Sequence, residues 1–432
     1  AKTGEVKFIN GTGPAPKAAT LEFYRSKGEI PSEGSLSVIV PGAVDGALLA
    51  LSKYGSKPLA EVMAPAIELA ERGFPISDEL AGQLRGSRER LSKYPSTTKV
   101  WFRNGEPMKA GEVLVNRDLA TTLRTIAARG SETFYRGPLA RTSIEYLRAN
   151  NGIHAEADWA GYRAHEDTPI SVNYRGIQVF ECPPNSQGHV MLQALNILEG
   201  FSLRYMGHNS APYLHLVTEA LKLSFADRNA YVADPRVVPN IPMRDLLSEE
   251  YAAVRRGLID PERAIAGEAP PGDPKARTTT GATYSPPQPL PGGARAWDEN
   301  EQALTTYLAV VDKDRNMVSI TSSLLSGFGS GMVVEGAGFF LNNRMAYFSL
   351  EPNDVNVVAP GKRVRHTINP ALALKDGKPF LVFGTPGGDT QPQTQLQFFL
   401  NVVEFGMGIQ QALEQPAVIS SNFRSSYYPH EI

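Results

Sequence analysis

The fold prediction starts from TTYLAVVDKDRNMVSITSS, residues 305–323. Two runs rich in β-branched and apolar residues flank the turn sequence KDRN, which is the pattern of a β-hairpin. The segment before it, at about 264–304, is rich in Pro, Gly and charged residues and has no apolar period, so it is predicted to be a loop or linker. A compact β-rich part of the chain is therefore predicted to begin at about Thr305.

A threonine at the start of such a strand can act as an N-terminal nucleophile. In the intact chain, the hydroxyl of Thr305 would attack the carbonyl of Leu304, and hydrolysis of the resulting ester would free the amine of Thr305. That amine, with an unperturbed pKa near ~8, can take the hydroxyl proton at neutral pH. The alternative is that Thr305 and Thr306 are ordinary strand residues, which local sequence alone favours because threonine is common in strands.

A glycine pair in GTPGGD, residues 384–389, is the second candidate feature. It lies between the predicted strand PFLVF and a predicted helix, where a turn can aim N–H groups at a developing oxyanion, each worth about 3 kcal/mol. Gly387 and Gly388 are the predicted donors. The alternative is a tight turn that needs positive φ, the commoner use of such a pair. The stretch GFGSGMVVEG lacks the spacing of a dinucleotide loop, so no nucleotide site is predicted.

The remaining sequence predicts helices and strands in alternating blocks. Helical periods occur in GALLALSKYG, AEVMAPAIELAERG and RDLATTLRTIAARG, each closed by Gly. TPISVNYRGIQVFEC predicts two strands, and HVMLQALNILEG and PYLHLVTEALKLSFADRNAYV predict helices. After residue 323, GFFLNN, PALALK and PFLVFG predict strands, and QTQLQFFLNVVEFG and GIQQALEQPA predict helices.

Composition excludes several classes of function. The 432 residues carry 43 Lys and Arg against 45 Asp and Glu, with no long block of one sign, so nucleic acid is not a predicted partner. Cys182 is the single cysteine, which rules out an intramolecular disulfide and a thiolate metal cluster. The seven histidines are not paired at metal spacing. No metal and no cofactor are predicted.

The ends of the sequence carry little targeting information. No apolar run approaches the ~18 to 20 residues that span a bilayer, and the start AKTGEVKFING has no signal-peptide pattern, so the compartment stays open. The predicted strand at residues 6–10 reads like the second half of a hairpin. It therefore predicts a partner strand upstream of residue 1 and a chain trimmed at its start.

Long stretches resemble the γ-glutamyltranspeptidase family. After residue 304 they are TTYLAVVDKDRNMVSITSS, FGSG, LNNRM, GKR, NPALALKDGKP and GTPGGD; before it they are VPGAVDGALLALSKYG, PLAEVMAPAIELAERGFPIS, FYRGPLA, DTPISVNYRG, PPNSQG and ADRNAYVADP. The resemblance covers nearly the whole chain. It implies an α+β fold, the αββα four-layer sandwich of N-terminal nucleophile hydrolases. Autoproteolysis would separate a large-subunit part, 1–304, from a small-subunit part, 305–432, with both outer ends incomplete.

The resemblance also implies catalytic roles by position. Thr305 matches the nucleophile, and Ser323 matches a hydroxyl that hydrogen-bonds the amine of that nucleophile. Gly387 and Gly388 match the oxyanion donors. Ser323 replaces the more usual Thr but keeps the hydroxyl. The Asn-Asn pair at 342–343 matches a structural pair that ends a core strand.

The groups that hold the acyl substrate in the family are changed in this chain. An Asn and an acidic residue that grip the glutamate α-amino group correspond to Leu325 and Tyr347, neither of which can pair an ammonium in a buried site. An Arg that holds the glutamate α-carboxylate corresponds to a position in FINGTGPAP, at Thr12 or a neighbour. Recognition of a γ-glutamyl amine is therefore predicted to be lost.

Basic residues stand at two other pocket positions. Arg344 replaces a Gln or Glu of the family, and His366 and Thr367 replace paired Ser residues that contact the α-carboxylate. An Arg without a partner acid suits an acyl group that ends in a carboxylate but lacks an α-amine, such as a glutaryl or oxalyl group. Cephalosporin acylases and oxamate amidohydrolases are family members of that kind. The alternative is that Arg344 pairs with a nearby acid and points away from the pocket.

Three functions follow from these features. The first is an autoprocessing amidohydrolase or acyltransferase that cleaves a small carboxylate-bearing amide through an acyl-enzyme on Thr305. The second is an orthodox glutathione hydrolase and γ-glutamyltransferase. The third is an unprocessed, non-catalytic homologue that acts as a binding protein. The predicted partners are a small amide and the two subunits of one precursor, and a homo-oligomer stays open.

Overall fold

The computed structural model describes residues 1–279 and 305–430. Most of the helices lie in the first of these two ranges. In chain order they are α1 Leu21–Lys27, α2 Ala43–Tyr54, α3 Leu59–Arg72, α4 Asp78–Gly86, α5 Arg88–Ser92, α6 Pro95–Trp101, α7 Arg117–Arg129, α8 Glu132–Tyr135, α9 Pro138–Ala149, α10 Glu156–Ala160, α11 His189–Glu199, α12 Leu203–Met206, α13 Ala211–Tyr231, α14 Met243–Leu246, α15 Glu249–Arg256, α16 Thr390–Val403 and α17 Ile409–Leu413. Short 3-10 helices lie at Ser35–Ser37 and Arg344–Tyr347.

The strands are short and fall in both ranges. They are β1 Phe8–Asn10, β2 Phe74–Pro75, β3 Phe102–Arg103, β4 Glu106–Pro107, β5 Val113–Leu114, β6 His165–Asp167, β7 Ile170–Tyr174, β8 Ile177–Glu181, β9 Thr305–Val311, β10 Met317–Ser323, β11 Ala371–Lys375 and β12 Lys378–Phe383. The mixture of helix and sheet is the α+β content that the sequence predicts.

A four-stranded antiparallel sheet with the order β12–β11–β8–β7 packs in the largest apolar cluster. Leu372 of β11 lies opposite Phe180 of β8, which joins strands from before and after residue 304. Buried side chains of α11, α13 and α16 belong to the same cluster. The strands predicted from TPISVNYRGIQVFEC, PALALK and PFLVFG are confirmed, as are the long helices that cover them.

The predicted hairpin at residues 305–323 is also confirmed. β9 and β10 pair along their whole length, with Met317 opposite Val311 and Ser323 opposite Thr305. The hydroxyl of Ser319 donates to the carbonyl of Phe383 at 3.3 Å, which brings the hairpin beside β12. This contact brings the hairpin that begins at Thr305 close to the turn that follows β12.

The three helices predicted between residues 35 and 165 from apolar period are α2, α3 and α7. Each is followed by the predicted glycine, Gly55, Gly73 or Gly130, whose N–H donates to a carbonyl of the last turn. Such a glycine closes a helix by satisfying one of its terminal carbonyls. No helix within residues 1–279 or 305–430 combines the length and apolar character needed to cross a bilayer.

One of the strand predictions is wrong. GFFLNN does not form a strand, since Phe340 makes only an isolated bridge with Val333. The strand near the start, β1, pairs with β6, with Asn10 opposite His165, and the partner strand expected upstream of residue 1 stays a prediction. The predicted linker is partly anchored, because Gly272 donates to Asp227 of α13 at 2.9 Å. Residues 280–304, including Leu304, lie outside the described part of the chain.

Candidate active site

Thr305 and Ser323 meet at the open end of the β9–β10 hairpin. They are directly opposite in the strand register, and the Thr305 hydroxyl donates to the Ser323 hydroxyl oxygen at 3.1 Å. The sequence predicts a contact of Ser323 with the amine of Thr305; the contact in the structure is with the hydroxyl. Antiparallel pairing brings opposite side chains to about 5 Å between β-carbons, so the hairpin alone positions this pair.

Leu325 supports Ser323 through its backbone. Its N–H donates to the Ser323 hydroxyl oxygen at 2.9 Å, and its φ is +96°. Positive φ is uncommon for a residue other than glycine and is found where the surroundings impose it, often at functional sites. The side chain of Leu325 is buried in an apolar cluster together with Tyr347, so it offers no charge at this position.

Arg344 holds the other side of Ser323. Its Nε and Nη2 atoms donate to the Ser323 carbonyl oxygen at 3.2 and 3.1 Å, and its side chain is 6% exposed. Among the described residues no carboxylate forms an ion pair with Arg344, and its Nη1 atom has no hydrogen-bond partner. The guanidinium lies 5.9 Å from the ring centroid of Tyr347. The interpretation of Arg344 as one half of a structural ion pair is therefore not supported.

Burial shifts the pKa values of Arg344 and His366. It lowers the pKa of Arg344, and the nearby hydroxyls of Tyr347 and Tyr427 oppose that shift only in part. It also lowers the pKa of His366 well below the ordinary value, with Arg344 and Arg363 adding to the effect. His366 is therefore neutral near pH 7, so Arg344 rather than His366 supplies positive charge to the pocket.

His366 and Thr367 lie beside the other predicted pocket residues. The Nε2 atom of His366 is 3.0 Å from the hydroxyl oxygen of Thr12, and the hydroxyls of Thr367 and Tyr347 are 2.9 Å apart. The segment PPNSQG fixes the backbone here, since Gln187 donates from its Nε2 atom to the Thr367 carbonyl at 3.1 Å. Thr12, which the resemblance places at or near the position of the family's Arg, thus contacts His366.

The glycine pair forms a turn that leads into α16. Gly387 and Gly388 have φ values of +124° and +57°, and the Gly387 carbonyl accepts hydrogen bonds from Thr390 N and Oγ1 at 3.0 and 2.8 Å. A trans peptide points its C=O and N–H in opposite directions, so this carbonyl turns the N–H of Gly388 away from the helix. Neither N–H of the pair donates to a backbone or side-chain acceptor within the described ranges. Donors in this arrangement suit an oxyanion.

The turn begins next to the strand that carries Thr305. A β-carbon built on Gly384 would lie 2.3 Å from the ring of Tyr307, two residues after Thr305 in β9. Only a residue without a side chain allows this approach of β9 to the turn. The structure therefore gathers Thr305, Ser323 and Arg344 at the hairpin end, with the glycine turn adjacent.

Tyr427 and Gln187 contact this site but are not among the site residues that the sequence predicts. The aromatic ring of Tyr427 lies 5.0 Å from that of Tyr347, and the two hydroxyls interact. Gln187 contacts both Thr367 and the carbonyl of Gly388. The motif PPNSQG marks the neighbourhood of Gln187, but nothing local marks Tyr427. Asn342 and Asn343, predicted to be structural, bond to backbone groups: the side chain of Asn342 bonds to Ile39, and that of Asn343 accepts from the Ser326 N–H.

The described ranges show no evident metal-binding site. There, no group of three or more His, Cys, Asp or Glu side chains is arranged to hold a metal ion. The polar groups around Thr305 are hydroxyls, an amide and a guanidinium, which suit a covalent acyl transfer better than metal binding.

Comparison with known proteins gives one consistent result. The sequence model described as Gamma-glutamyltranspeptidase matches residues 1–428. The glutathione hydrolase-like YwrD proenzyme of Bacillus subtilis is 36% identical over 416 residues, covering 96% of this chain and 73% of that protein. The glutathione hydrolase proenzyme of Escherichia coli is 35% identical, with 100% and 72% covered. The crystal structure of cephalosporin acylase from Bacillus halodurans has a TM-score of 0.84 at 37% identity, covering 96% and 72% of the two chains.

Proposed function

The chain belongs to the gamma-glutamyltranspeptidase family of amide-bond hydrolases, and we propose that it is an autoprocessing threonine amidohydrolase for acyl groups that carry a carboxylate. Cleavage before Thr305 would give a large part, 1–304, and a small part, 305–432. In this proposal the two parts stay interlocked in an αββα four-layer sandwich. The proposal rests on the residues that surround Ser323.

The observation that carries the proposal is that Ser323 joins the nucleophile to a cation. Its hydroxyl oxygen is 3.1 Å from the Thr305 hydroxyl, and its carbonyl oxygen accepts two hydrogen bonds from Arg344. A carboxylate bound at Arg344 would therefore lie within a short acyl chain of the Thr305 hydroxyl. A strand residue with only a packing role would need neither group.

The chemistry follows from an amine and a hydroxyl on one residue. Once cleavage frees the amine of Thr305, it takes the hydroxyl proton while the oxygen attacks the substrate carbonyl. The N–H groups of Gly387 and Gly388 would stabilise the oxyanion, a contribution of about 3 kcal/mol per donor. The protonated amine then gives its proton to the leaving amine, and an ester on Thr305 remains. Water, or a second amine, releases the acyl group by the same steps in reverse.

The charges of the pocket favour a carboxylate without an α-amine. Arg344 is buried, and its Nη1 atom bonds to no described residue. A buried cation without a counterion is costly by several kcal/mol, and an acyl carboxylate would supply the missing charge and hydrogen bond. At the positions that would hold an α-ammonium, Leu325 is apolar and the Tyr347 hydroxyl is bonded to Thr367. An orthodox γ-glutamyl substrate is therefore disfavoured.

Two measurements on the purified protein test this function. Intact-mass analysis should show cleavage between Leu304 and Thr305, and a panel of succinyl, glutaryl, oxalyl and γ-glutamyl anilides should identify the acyl group. We expect turnover of at least one anilide without an α-amine, and Arg344→Ala should lower kcat/KM on that anilide by roughly 10- to 100-fold. An intact chain under all conditions, or a strong preference for the γ-glutamyl anilide, would rule the proposal out.

A further inference from the structure

Arg228 of α13 connects the proposed oxyanion turn to the rest of the molecule. Its side chain is fully buried, and its guanidinium lies 4.5 Å from the ring centroid of Phe225. Its Nη1 atom donates to Gln187 Oε1 at 2.6 Å and to Asp389, and its Nη2 atom donates to the Arg424 carbonyl at 3.0 Å. One cation thus reaches three separate segments of the chain.

Asp389 follows the glycine pair directly and precedes α16. Its carboxylate pairs with Arg228 and also accepts from the N–H and the hydroxyl of Ser426, each at 2.7 Å. The segment 420–430, which carries Tyr427 into the acyl pocket, is therefore fixed to the same carboxylate as the turn.

Gln187 holds the turn from the opposite side. Its Nε2 atom donates to the Gly388 carbonyl at 3.3 Å while its Oε1 atom accepts from Arg228. The Gly388 carbonyl also accepts from the N–H of Gln391 at 3.2 Å. The Gly387 carbonyl, held by Thr390, shares its peptide plane with the Gly388 N–H, and the held Gly388 carbonyl fixes the next plane. The backbone on both sides of Gly388 therefore has little freedom to rotate.

We propose that Arg228 is a positioning residue that orients the oxyanion donors through Asp389 and Gln187, across the boundary between residues 1–304 and 305–432. The inference rests on the proposed function, because it takes Gly387 and Gly388 as the donors. Arg228 touches neither the nucleophile nor the acyl group. A lysine cannot reproduce its contacts, since a guanidinium presents several donors in a fixed plane and an ammonium does not.

The test is a comparison of kcat and KM in Arg228→Lys with those in a matched control. Arg255→Lys is that control: Arg255 is equally buried and pairs with Asp227, the neighbour of Arg228, but it contacts Leu223 and Pro270 rather than the turn. On the anilide that wild type turns over best, Arg228→Lys should lower kcat by roughly 10- to 100-fold with KM within about threefold, since a donor acts mainly on the transition state. Arg255→Lys should leave both parameters within about threefold.

A second variant keeps the inference testable if Arg228→Lys does not fold. Gln187→Met removes the hydrogen bonds to the Gly388 and Thr367 carbonyls and to Arg228 at similar volume, and it should lower kcat by about 10-fold. Because Thr367 belongs to the proposed acyl site, only kcat of this variant is compared with wild type. An unchanged kcat in a folded Arg228→Lys or Gln187→Met, or equal losses in Arg255→Lys, would overturn the inference while the proposed function stands. Wild type that turns over no anilide would instead overturn the proposed function and this inference with it.

Discussion

The guanidinium of Arg344 and the carbonyl oxygen of Ser323 are joined by two hydrogen bonds of 3.2 and 3.1 Å. The cation is thereby fixed to the residue that faces the proposed nucleophile in the strand register. In the proposed mechanism, one short stretch of backbone would thus position both acyl recognition and attack, so small changes at either residue should alter the reaction more than the fold.

Thr305→Ala should abolish both chain cleavage and amidase activity while the protein still folds. The hydroxyl of Thr305 contributes one part-buried hydrogen bond, so its loss costs only about 1 kcal/mol of unfolding free energy. Intact-mass spectrometry would show a single chain, and circular dichroism would match wild type.

Thr305→Ser is the matched control for that variant, because it keeps the hydroxyl and the free amine. We expect it to be cleaved and to retain measurable turnover. Two chains or residual turnover in purified Thr305→Ala would contradict the assignment of the nucleophile.

Arg344→Met should abolish dicarboxylate binding and leave the melting temperature of the ligand-free protein nearly unchanged. Without ligand, the variant loses two bonds to the Ser323 carbonyl but also removes a buried charge that no described acid pairs with, so its melting temperature should lie close to that of wild type. Glutarate, succinate or oxalate at saturating concentration should raise the melting temperature of wild type and not that of Arg344→Met. Stabilisation of both proteins by the same dicarboxylate would place the carboxylate site elsewhere.

Gly388→Ala and Gly387→Ala should both lower kcat. Gly388→Ala should cost little unfolding free energy, whereas Gly387→Ala should cost more. Gly388 has φ of +57°, where alanine costs about 1 to 2 kcal/mol. Gly387 has φ of +124°, and an added β-carbon would lie 2.3 Å from Thr390 Oγ1, so Gly387→Ala should destabilise the protein more. Displaced donors should lower kcat by roughly 10²- to 10³-fold in both.

Gly377→Ala is the control for Gly388→Ala, because it introduces similar backbone strain without removing a proposed oxyanion donor. Gly377 lies in the turn between β11 and β12 with φ of +69°, and an added β-carbon there meets nothing within 4 Å. It should lose a similar amount of unfolding free energy to Gly388→Ala, measured in urea, with kcat unchanged. Full activity of Gly388→Ala would mean that its N–H is not an oxyanion donor.

The sequence predicts the hairpin well because its signals are local. β-branched runs on both sides of KDRN specify two strands and the turn, and the register then places Ser323 opposite Thr305. GFFLNN misleads because its apolar residues serve packing rather than a strand ladder: Phe339 lies 5.4 Å from the ring of Phe134, and Phe340 lies 5.5 Å from Trp101. Alternating or continuous apolar residues do not distinguish these two uses.

The contacts that organise the site are invisible in the sequence because they are long-range. The resemblance to a family places Arg344 in the pocket, but only the fold shows that no described acid pairs with it. The ion pair between Arg228 and Asp389 spans 161 residues, and the pairing of Tyr427 with Tyr347 depends on a segment with no periodic pattern. Charge partners and aromatic neighbours of this kind follow from topology, which local propensities do not contain.

Glu181→Gln should make the protein less sensitive to alkaline pH. Glu181 is buried at the end of β8, where it accepts from Asn369 Nδ2 at 3.1 Å and faces no Lys or Arg side chain of the described ranges within ion-pair distance. Burial raises the pKa of this carboxyl well above its ordinary value, with the bonds from Asn369 and from the Cys182 N–H opposing the shift. The folded state therefore holds a proton that the unfolded state releases.

The sign of the pH effect follows from that difference in proton binding. The contribution of Glu181 is fully present below the unfolded pKa of about 4.3, and it is lost as pH rises toward the raised folded pKa. Glutamine carries no such proton, so the unfolding free energy of Glu181→Gln relative to that of its parent should increase from pH 5 to pH 8.

Urea unfolding in an uncleaved Thr305→Ala background measures this without subunit separation. The exposed Glu89→Gln is the control and should show the same difference at both pH values. A difference for Glu181→Gln that stays constant or shrinks as pH rises would show that its carboxyl is ionised in the folded protein.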